Sequence, residues 1–484
     1  MQFSVIQRIL GLLLIIFSFF QITPMIVSLV YTDGELVAFF YTFAITLITG
    51  IVLWLPVKKQ KKELRLRDGF LVAVLFWAAL GLFGALPFIL TGKPHTTFTD
   101  GVFESISGLT TTGSTVLTGL DNLPKSILYY RQQLQWLGGM GIIVLAVAIM
   151  PMLGIGGMQL YRAGTPGPMK NNKLTPRITE TAKALWYIYL TLTIACAFAY
   201  WLAGMDAFDA IAHSFATVSI GGFSTHDGSI GYYVDKPSVE IVAIVFMLLS
   251  GANFALHFAV WRSRNIVLYF RDSEFKAYLT LLFVVAMITS AYLYYMDVFV
   301  YLNRDLLHGF FQTVSIATTT GFTTQDYQVW PGFVPILLMF TSFVGACAGS
   351  TGGGMKTIRF VLMIKQGIRE VIRVIHPNAV VTVKVGGKPL PDQVISAVWG
   401  FFSAYVATFS IILLLLMLTG LDQVSAFSAT AAAINNLGPG LSEVAANFAG
   451  ISDTAKWILS FAMLCGRLEI FSLLVLLTPS FWRR

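Results

Sequence analysis

Charge is what this chain has least of. Only 12% of its 484 residues are charged, while 56% are hydrophobic and the mean hydropathy is +0.74. A soluble domain cannot cover its surface with so few charges, so the expected solvent is lipid. Cysteine is scarce too. Cys196, Cys347 and Cys465 lie far apart inside apolar segments, which excludes a disulfide framework and a metal spacing and leaves them as small packing residues. The histidines, His95, His213, His226, His257, His308 and His376, form no H-x-x-H or H-E-x-x-H pattern, so metal-assisted hydrolysis has no support. No nucleophile and base pair sits among the apolar segments either. The chain reads as no enzyme, with no organic cofactor and no nucleic-acid partner expected.

What is present in quantity is apolar sequence of bilayer-spanning length, near residues 5–30, 36–57, 69–92, 128–150, 184–204, 238–261, 277–300, 331–348, 394–419 and 455–478. The first run is longer than a signal-peptide core and lacks an A-x-A site, so it is read as a helix. The basic residues, in "KKQKKELRLR" (58–67), in the loop with Arg162, Lys170, Lys173 and Arg177, in that with Arg262, Arg264 and Arg271, and from Arg359 to Lys388, fall on one side in this span order. By the positive-inside rule both termini are cytoplasmic. The opposite loops gather acids such as Asp33, Asp121, Asp227 and Asp326, an outer mouth that attracts cations.

After two N-terminal spans (1–67), the chain repeats one pattern four times: span, short apolar stretch, Gly-centred polar segment, span. The unit boundaries fall at 68–162, 163–271, 272–375 and 376–484. The polar segments are "LTTTGSTV" (109–116), "VSIGGFST" (218–225), "ATTTGFTT" (317–324) and "NNLGPGLS" (435–442), with Gly113, Gly222, Gly321 and Gly438 spaced by 109, 99 and 117 residues. The stretch before each glycine is about a dozen residues, roughly 18 Å of helix, too short to cross the bilayer. Each such re-entrant half-helix begins near an acid, Asp100, Asp209, Asp305 or Asp422, which suits an N-terminus and turns the partially negative end into the membrane. Four breaks at equivalent depth are expected to line one pore, with carbonyls and threonine hydroxyls as ligands for a hard alkali cation. The alternative is that Thr and Gly only permit close helix packing.

With "QWLGGMGIIVLAVAIMPMLGIGGMQLYR" (135–162), "SIGGFST", "GACAGSTGGGMK" (345–356), "NNLGPGLSEV" and "GRLEIFSLLVLLTP" (466–479), the chain resembles the Trk/Ktr/HKT superfamily of potassium transporters over essentially its whole length. The resemblance implies an all-α polytopic fold, two N-terminal helices plus four M1-P-M2 channel-like repeats around a central pore, in a bacterial inner membrane. It implies K+ as the transported ion, held by Thr111, Thr112 and Gly113, Ile220, Gly221 and Gly222, Thr319, Thr320 and Gly321, and Asn436, Leu437 and Gly438. Family members with serine at the first filter glycine tend to pass sodium, so Gly113 points to potassium. The second and fourth segments lack the Thr-Thr-Thr run, so the ring is not expected to be four-fold in detail.

The run "GACAGSTGGGMKT" has Walker spacing from Gly349 to Gly354, but Met355 stands where lysine is required. Five glycines, Gly345, Gly349, Gly352, Gly353 and Gly354, make it a break in the third unit's second span. The resemblance implies an intramembrane gate beneath the filter; a static break is the competing reading, and Lys356 itself is expected to help place the loop's end at the cytoplasmic boundary. Arg467 sits mid-span, where a charge faces protein or water. Two roles stand open for it, a barrier to cations or a donor to the carbonyls of the glycine loop. The resemblance also implies a homodimer, docked by a cytosolic, nucleotide-binding RCK-type regulatory subunit on the basic segment 359–393. A proton- or sodium-coupled symporter remains the rival function, with Glu469 and Glu104 as its coupling acids.

Overall fold

The computed structural model describes residues 1–59, 66–144 and 174–483. It is mostly helical, as a backbone in lipid must be to satisfy its own amides. Six helices among the described residues are long and apolar enough to cross a membrane: Phe3–Tyr31, Leu36–Val57, Arg67–Leu90, Ala182–Leu202, Ser273–Tyr295 and Asp392–Leu418. Large apolar side chains such as Phe40, Val52, Ile194, Phe198 and Leu414 stand exposed on their outer faces, where hydrocarbon is the solvent. Most of the basic loop at 58–67, the loop of Arg162, Lys170 and Lys173, and the boundary expected at 162 lie outside the described residues.

Three of the expected spans are not single rods. The one at 238–261 is two helices, Pro237–Ser250 and Phe254–Ser263, bent by 91° at a break where the Asn253 side chain caps the second by accepting from Ala255 N at 2.8 Å. The one at 455–478 ends at Arg467 and resumes as Phe471–Leu477 after a 116° bend, with Glu469 and Ile470 both at positive φ. The one at 331–348 is only Val334–Val344, about 16 Å long and half a bilayer, stopped by Gly345 at φ 69°. Hydropathy counts apolar residues and is blind to such breaks. One feature the sequence reading lacked is a small hairpin, Lys384–Val385 paired antiparallel with Lys388–Pro389, turned by Gly386 and Gly387 at positive φ.

The half-helices are Phe98–Leu109, Ala207–Val218, Leu302–Ala317 and Gln423–Asn435. Each packs against the helices before and after it, and also against the helix that follows the preceding half-helix in the ring. Thus Ala207–Val218 touches Lys125–Val144, Leu302–Ala317 touches Pro237–Ser250, and Gln423–Asn435 touches Val334–Val344. The first, Phe98–Leu109, touches Asp453–Arg467 of the fourth unit, and so the chain closes on itself. The N-terminal helices Phe3–Phe19 and Leu36–Trp54 pack on each other beside Leu66–Gly84, outside this ring.

Candidate functional site

Local chemistry gives the four half-helices the same ending. Thr112 N donates to Ser107 O at 2.9 Å, and Gly221 N, Thr320 N and Leu437 N to Ala216 O, Ser315 O and Ala432 O at 2.8 Å, each reaching back five residues. The residues just before these donors, Thr111, Ile220, Thr319 and Asn436, are left-handed, with φ of 51°, 55°, 68° and 53°. This is the Schellman ending of a helix, which ordinarily uses glycine or asparagine. Only Asn436 suits it. The β-branched Thr111, Ile220 and Thr319 are strained there by about 1–3 kcal/mol each, so the surrounding packing must hold them. Two residues further on, Gly113, Gly222, Gly321 and Gly438 are again at positive φ, 86°, 78°, 85° and 103°.

The glycines meet in cyclic order. A Cβ on Gly113 would strike Gly221 O, one on Gly222 would strike Thr320 O, one on Gly321 would strike Leu437 O, and one on Gly438 would meet Thr112 O at 2.8 Å. The four segments that carry the sequence-predicted filter residues therefore meet in one ring. Bonds across every junction fix it. Gln135 Nε2 donates to Gly221 O (2.6 Å) while its Oε1 accepts from Phe223 N (3.1 Å). Gly231 N donates to Thr323 O (3.0 Å), and Tyr327 OH to Gly440 O (3.0 Å). Asn436 Nδ2 donates to Thr112 Oγ1 (2.9 Å) and Ser114 Oγ to Gly438 O (2.8 Å), joining the fourth unit to the first. Gln135 was missed from the sequence, although the polar run "RQQLQ" (131–135) inside an apolar span was a readable signal.

A buried ion pair braces the first two units. Arg131 Nε lies 2.8 Å from Glu104 Oε1, with the side chains 1% and 0% exposed. Arg131 also donates to Ser224 O of the second unit at 3.0 Å, and Glu104 accepts from Thr115 Oγ1 and Val116 N. Removing either partner strands a buried charge, so Glu104→Leu or Arg131→Met is expected to cost about 3–5 kcal/mol. The double variant should cost less than the sum. Thermal unfolding of the detergent-solubilised proteins as a double-mutant cycle measures this, and strict additivity would remove the brace.

At the mouth on the side of the half-helix N-termini, His226 bridges the same two units. Its Nε2 lies 3.0 Å from Asp209 Oδ2 and its Nδ1 bonds Asp121. Tyr232 stacks on the ring, the Tyr233 hydroxyl donates to Asp209, and Asp227 and His213 stand beside the cluster. Burial alone lowers the imidazole pKa, but hydrogen bonds to and charges on Asp209 and Asp121 outweigh it and raise it above 6.5. A raised folded pKa means that the bridge stabilises fully below 6.5 and fades as pH rises through the folded value. Unfolding temperature should therefore fall on that alkaline flank, and His226→Gln should flatten the fall.

On the opposite side of the ring lies the glycine loop, pressed against the half-helix ends. Gly353 N donates to Thr319 Oγ1 at 2.7 Å, Gly354 N to Asn435 O at 3.1 Å, and Thr351 Oγ1 to Val218 O at 3.0 Å. Gly352 abuts Thr318 O, and Gly345 stacks on Gly353 and Gly354. Gly349 is away from the ring of glycine segments; its carbonyl accepts from Phe254 N at the broken span of the second unit. Lys356, expected at the membrane boundary, is buried and folds back on Gly352 O. Arg467 donates to Thr351 O at 3.0 Å and Gly138 O at 3.1 Å, and Glu469 pairs with Arg359 rather than with it.

Half-helices in a closed ring, glycine-centred segments meeting at its axis and a polar loop beneath them define a polytopic membrane transport protein. The chain belongs to the TrkH family of cation transport proteins, whose model matches residues 35–484. It is 55% identical over 483 residues to the Trk system potassium uptake protein TrkH of Escherichia coli (strain K12), and 57% over 496 to that of Vibrio parahaemolyticus, each covering 100% of both chains. The Trk system potassium uptake protein TrkG of Escherichia coli (strain K12) is 42% identical over 479 residues, 99% of this chain and 98% of that one. Among solved structures, the potassium transporter TrkH from Vibrio parahaemolyticus matches with a TM-score of 0.93 at 54% identity, covering 100% of each chain.

Proposed function

We propose that this protein carries potassium into the bacterial cell across the inner membrane, through one gated pore in which the four glycine segments select the ion. The observation that carries this reading is the ring itself: four segments, one per unit, in chain order, each glycine against the carbonyl of the next. Thr111 to Gly113, Ile220 to Gly222, Thr319 to Gly321 and Asn436 to Gly438 would offer backbone and hydroxyl oxygens to a dehydrated cation, and the converging half-helix C-termini would favour its charge. The glycine loop 345–356, fastened by Arg467, is the gate in its closed position. The boundaries at 67, 162, 271 and 375 separate the N-terminal pair and the four units, with both termini cytoplasmic.

Two partners follow from one surface. The Thr357–Ile375 helix leaves Ile364, Ile368, Val371 and Ile375 exposed at helical spacing, an unburied stripe that suits a second copy of this chain. Its basic residues and the hairpin beside it suit a cytosolic nucleotide-binding regulatory subunit.

The coupled-carrier alternative loses its two sequence candidates, since Glu104 is bound by Arg131 and Glu469 by Arg359. One observation keeps it in play: Glu240, fully buried, faces His308 Nδ1 at 3.3 Å with no hydrogen-bond donor to either oxygen among the described residues. Flux of potassium, rubidium and sodium into proteoliposomes, with and without a proton gradient, decides. Potassium flux without the gradient supports the pore. Strict dependence on it, abolished by Glu240→Gln, would establish the carrier.

A further inference from the structure

One carboxylate grips both ends of the glycine loop. Glu274 lies in the first turn of Ser273–Tyr295, a helix whose start is fixed by the Asp272 side chain accepting from Phe275 N at 2.8 Å. Glu274 Oε1 accepts from Ala348 N at 2.6 Å and from Ile358 N at 3.2 Å. Ala348 is on the way into the loop, and Ile358 is in the first turn of the helix that leaves it. That helix, Thr357–Ile375, has no capping side chain of its own, because its N-cap residue is Lys356 at φ 79°. Glu274 supplies the missing cap from another element, where the positive end of the helix dipole favours a carboxylate. Neither end of the loop can leave without depriving a buried carboxylate, 9% exposed, of a donor.

Other fastenings hold the middle of the loop, Arg467 on Thr351 O, Thr319 Oγ1 on Gly353 N and Lys356 on Gly352 O, and the exit is bonded to the entry by Thr357, whose N and Oγ1 donate to Ala346 O at 3.1 Å and Gly345 O at 3.0 Å. Glu274 is different in tying both entry and exit to a neighbouring helix, Ser273–Tyr295, through a single atom. We propose that Glu274 is the positioning residue that latches the loop beneath the filter, so that conduction requires release of this carboxylate. This rests on reading the loop as the gate.

The chain carries its own reporter for the test. Cys347, next to Ala348, is buried, with its N–H on Gly251 O at 3.0 Å. With Cys196 and Cys465 replaced by alanine, the full-length protein is reconstituted in liposomes without a cytosolic partner. The rate of Cys347 modification by a small thiol reagent is measured beside rubidium flux. Loss of two charge-assisted hydrogen bonds in Glu274→Ala should raise both rates by at least about tenfold. Glu274→Gln, which keeps an acceptor oxygen, should raise both by less, and carries the test if the alanine variant does not fold. Unchanged Cys347 reactivity, whatever the flux, overturns the latch. Faster Cys347 modification with unchanged flux shows that Glu274 fastens the loop but that the loop is not the gate, and overturns the proposal through that reading.

Discussion

Alanine in place of Gly353 should leave the pore open without any regulator. A Cβ there would collide with Asn435 O and come within 3.2 Å of Asn436 Cβ. Neither obstacle can give way cheaply. Asn435 ends the fourth half-helix, with its side chain bound by the Tyr405 hydroxyl and donating to Ser342 Oγ at 2.9 Å, and Asn436 is tied to Thr112 and Met463. The loop must therefore retreat, losing the bonds from Gly353 N to Thr319 Oγ1 and from Gly354 N to Asn435 O. Overpacking of about 1–3 kcal/mol together with about 1 kcal/mol for each lost bond shifts the closed-to-open balance by a hundredfold or more. Gly349→Ala is the control: unlike Gly353 it has positive φ, 74°, so alanine adds backbone strain there, but it faces Asn253 rather than the half-helix ends. Its effect on potassium flux should be far smaller. A Gly353→Ala protein that folds yet conducts no faster than the parent would remove the loop from the ion pathway.

The half-helices were legible because two local signals coincide, an amphipathic stretch too short to span and a glycine obliged to take positive φ. Even so, only in the fourth half-helix is the acid that announced the start also its cap. Thr97, Asp206 and Asp422, each sixteen residues before its filter glycine, cap the first, second and fourth half-helices, while Asp100 and Asp209 sit in the first turn. Asp305 holds the same position in the third unit but lies inside the helix, which starts at Leu302 and runs 16 residues instead of 12 or 13. What the sequence hid is what depends on neighbours distant in the chain. The spacing of glycines says that four segments are alike, not that Gly113 faces Gly221 O or that Gln135 ties the first unit to the second. Glu274 and Glu240 lie near the ends of apolar runs, where an acid reads as the boundary of insertion, and only packing reveals them as buried. The loop was visible as a break in a span; its seat against Val218, Thr318 and Asn435 was not.

The ring is closed unevenly, and the four filter glycines should therefore not respond alike to alanine. All four have positive φ, so each substitution meets backbone strain of roughly 1 kcal/mol or more. At Gly113, Gly222 and Gly321 the added methyl also falls well inside contact with a neighbouring carbonyl, and at Gly321 it additionally meets Pro439 Cδ at 2.8 Å. These carbonyls belong to filter segments, so displacing one distorts two units at once. At Gly438 the nearest atom, Thr112 O, is 2.8 Å away, and the next, Gly113 C, is 3.2 Å. A shift of a few tenths of an ångström there relieves most of the conflict, though Asn436 and Ser114 oppose a larger one. Alanine at 113, 222 or 321 is expected to abolish potassium flux or its preference over sodium, whereas Gly438→Ala should keep reduced but still potassium-selective flux. Flux ratios for the four variants in proteoliposomes check this ranking. Equal loss at all four would mean that backbone strain alone, not the contact from one unit to the next, sets the filter; intact selectivity at any of the first three would mean that the ring of contacts is not where the ion is chosen.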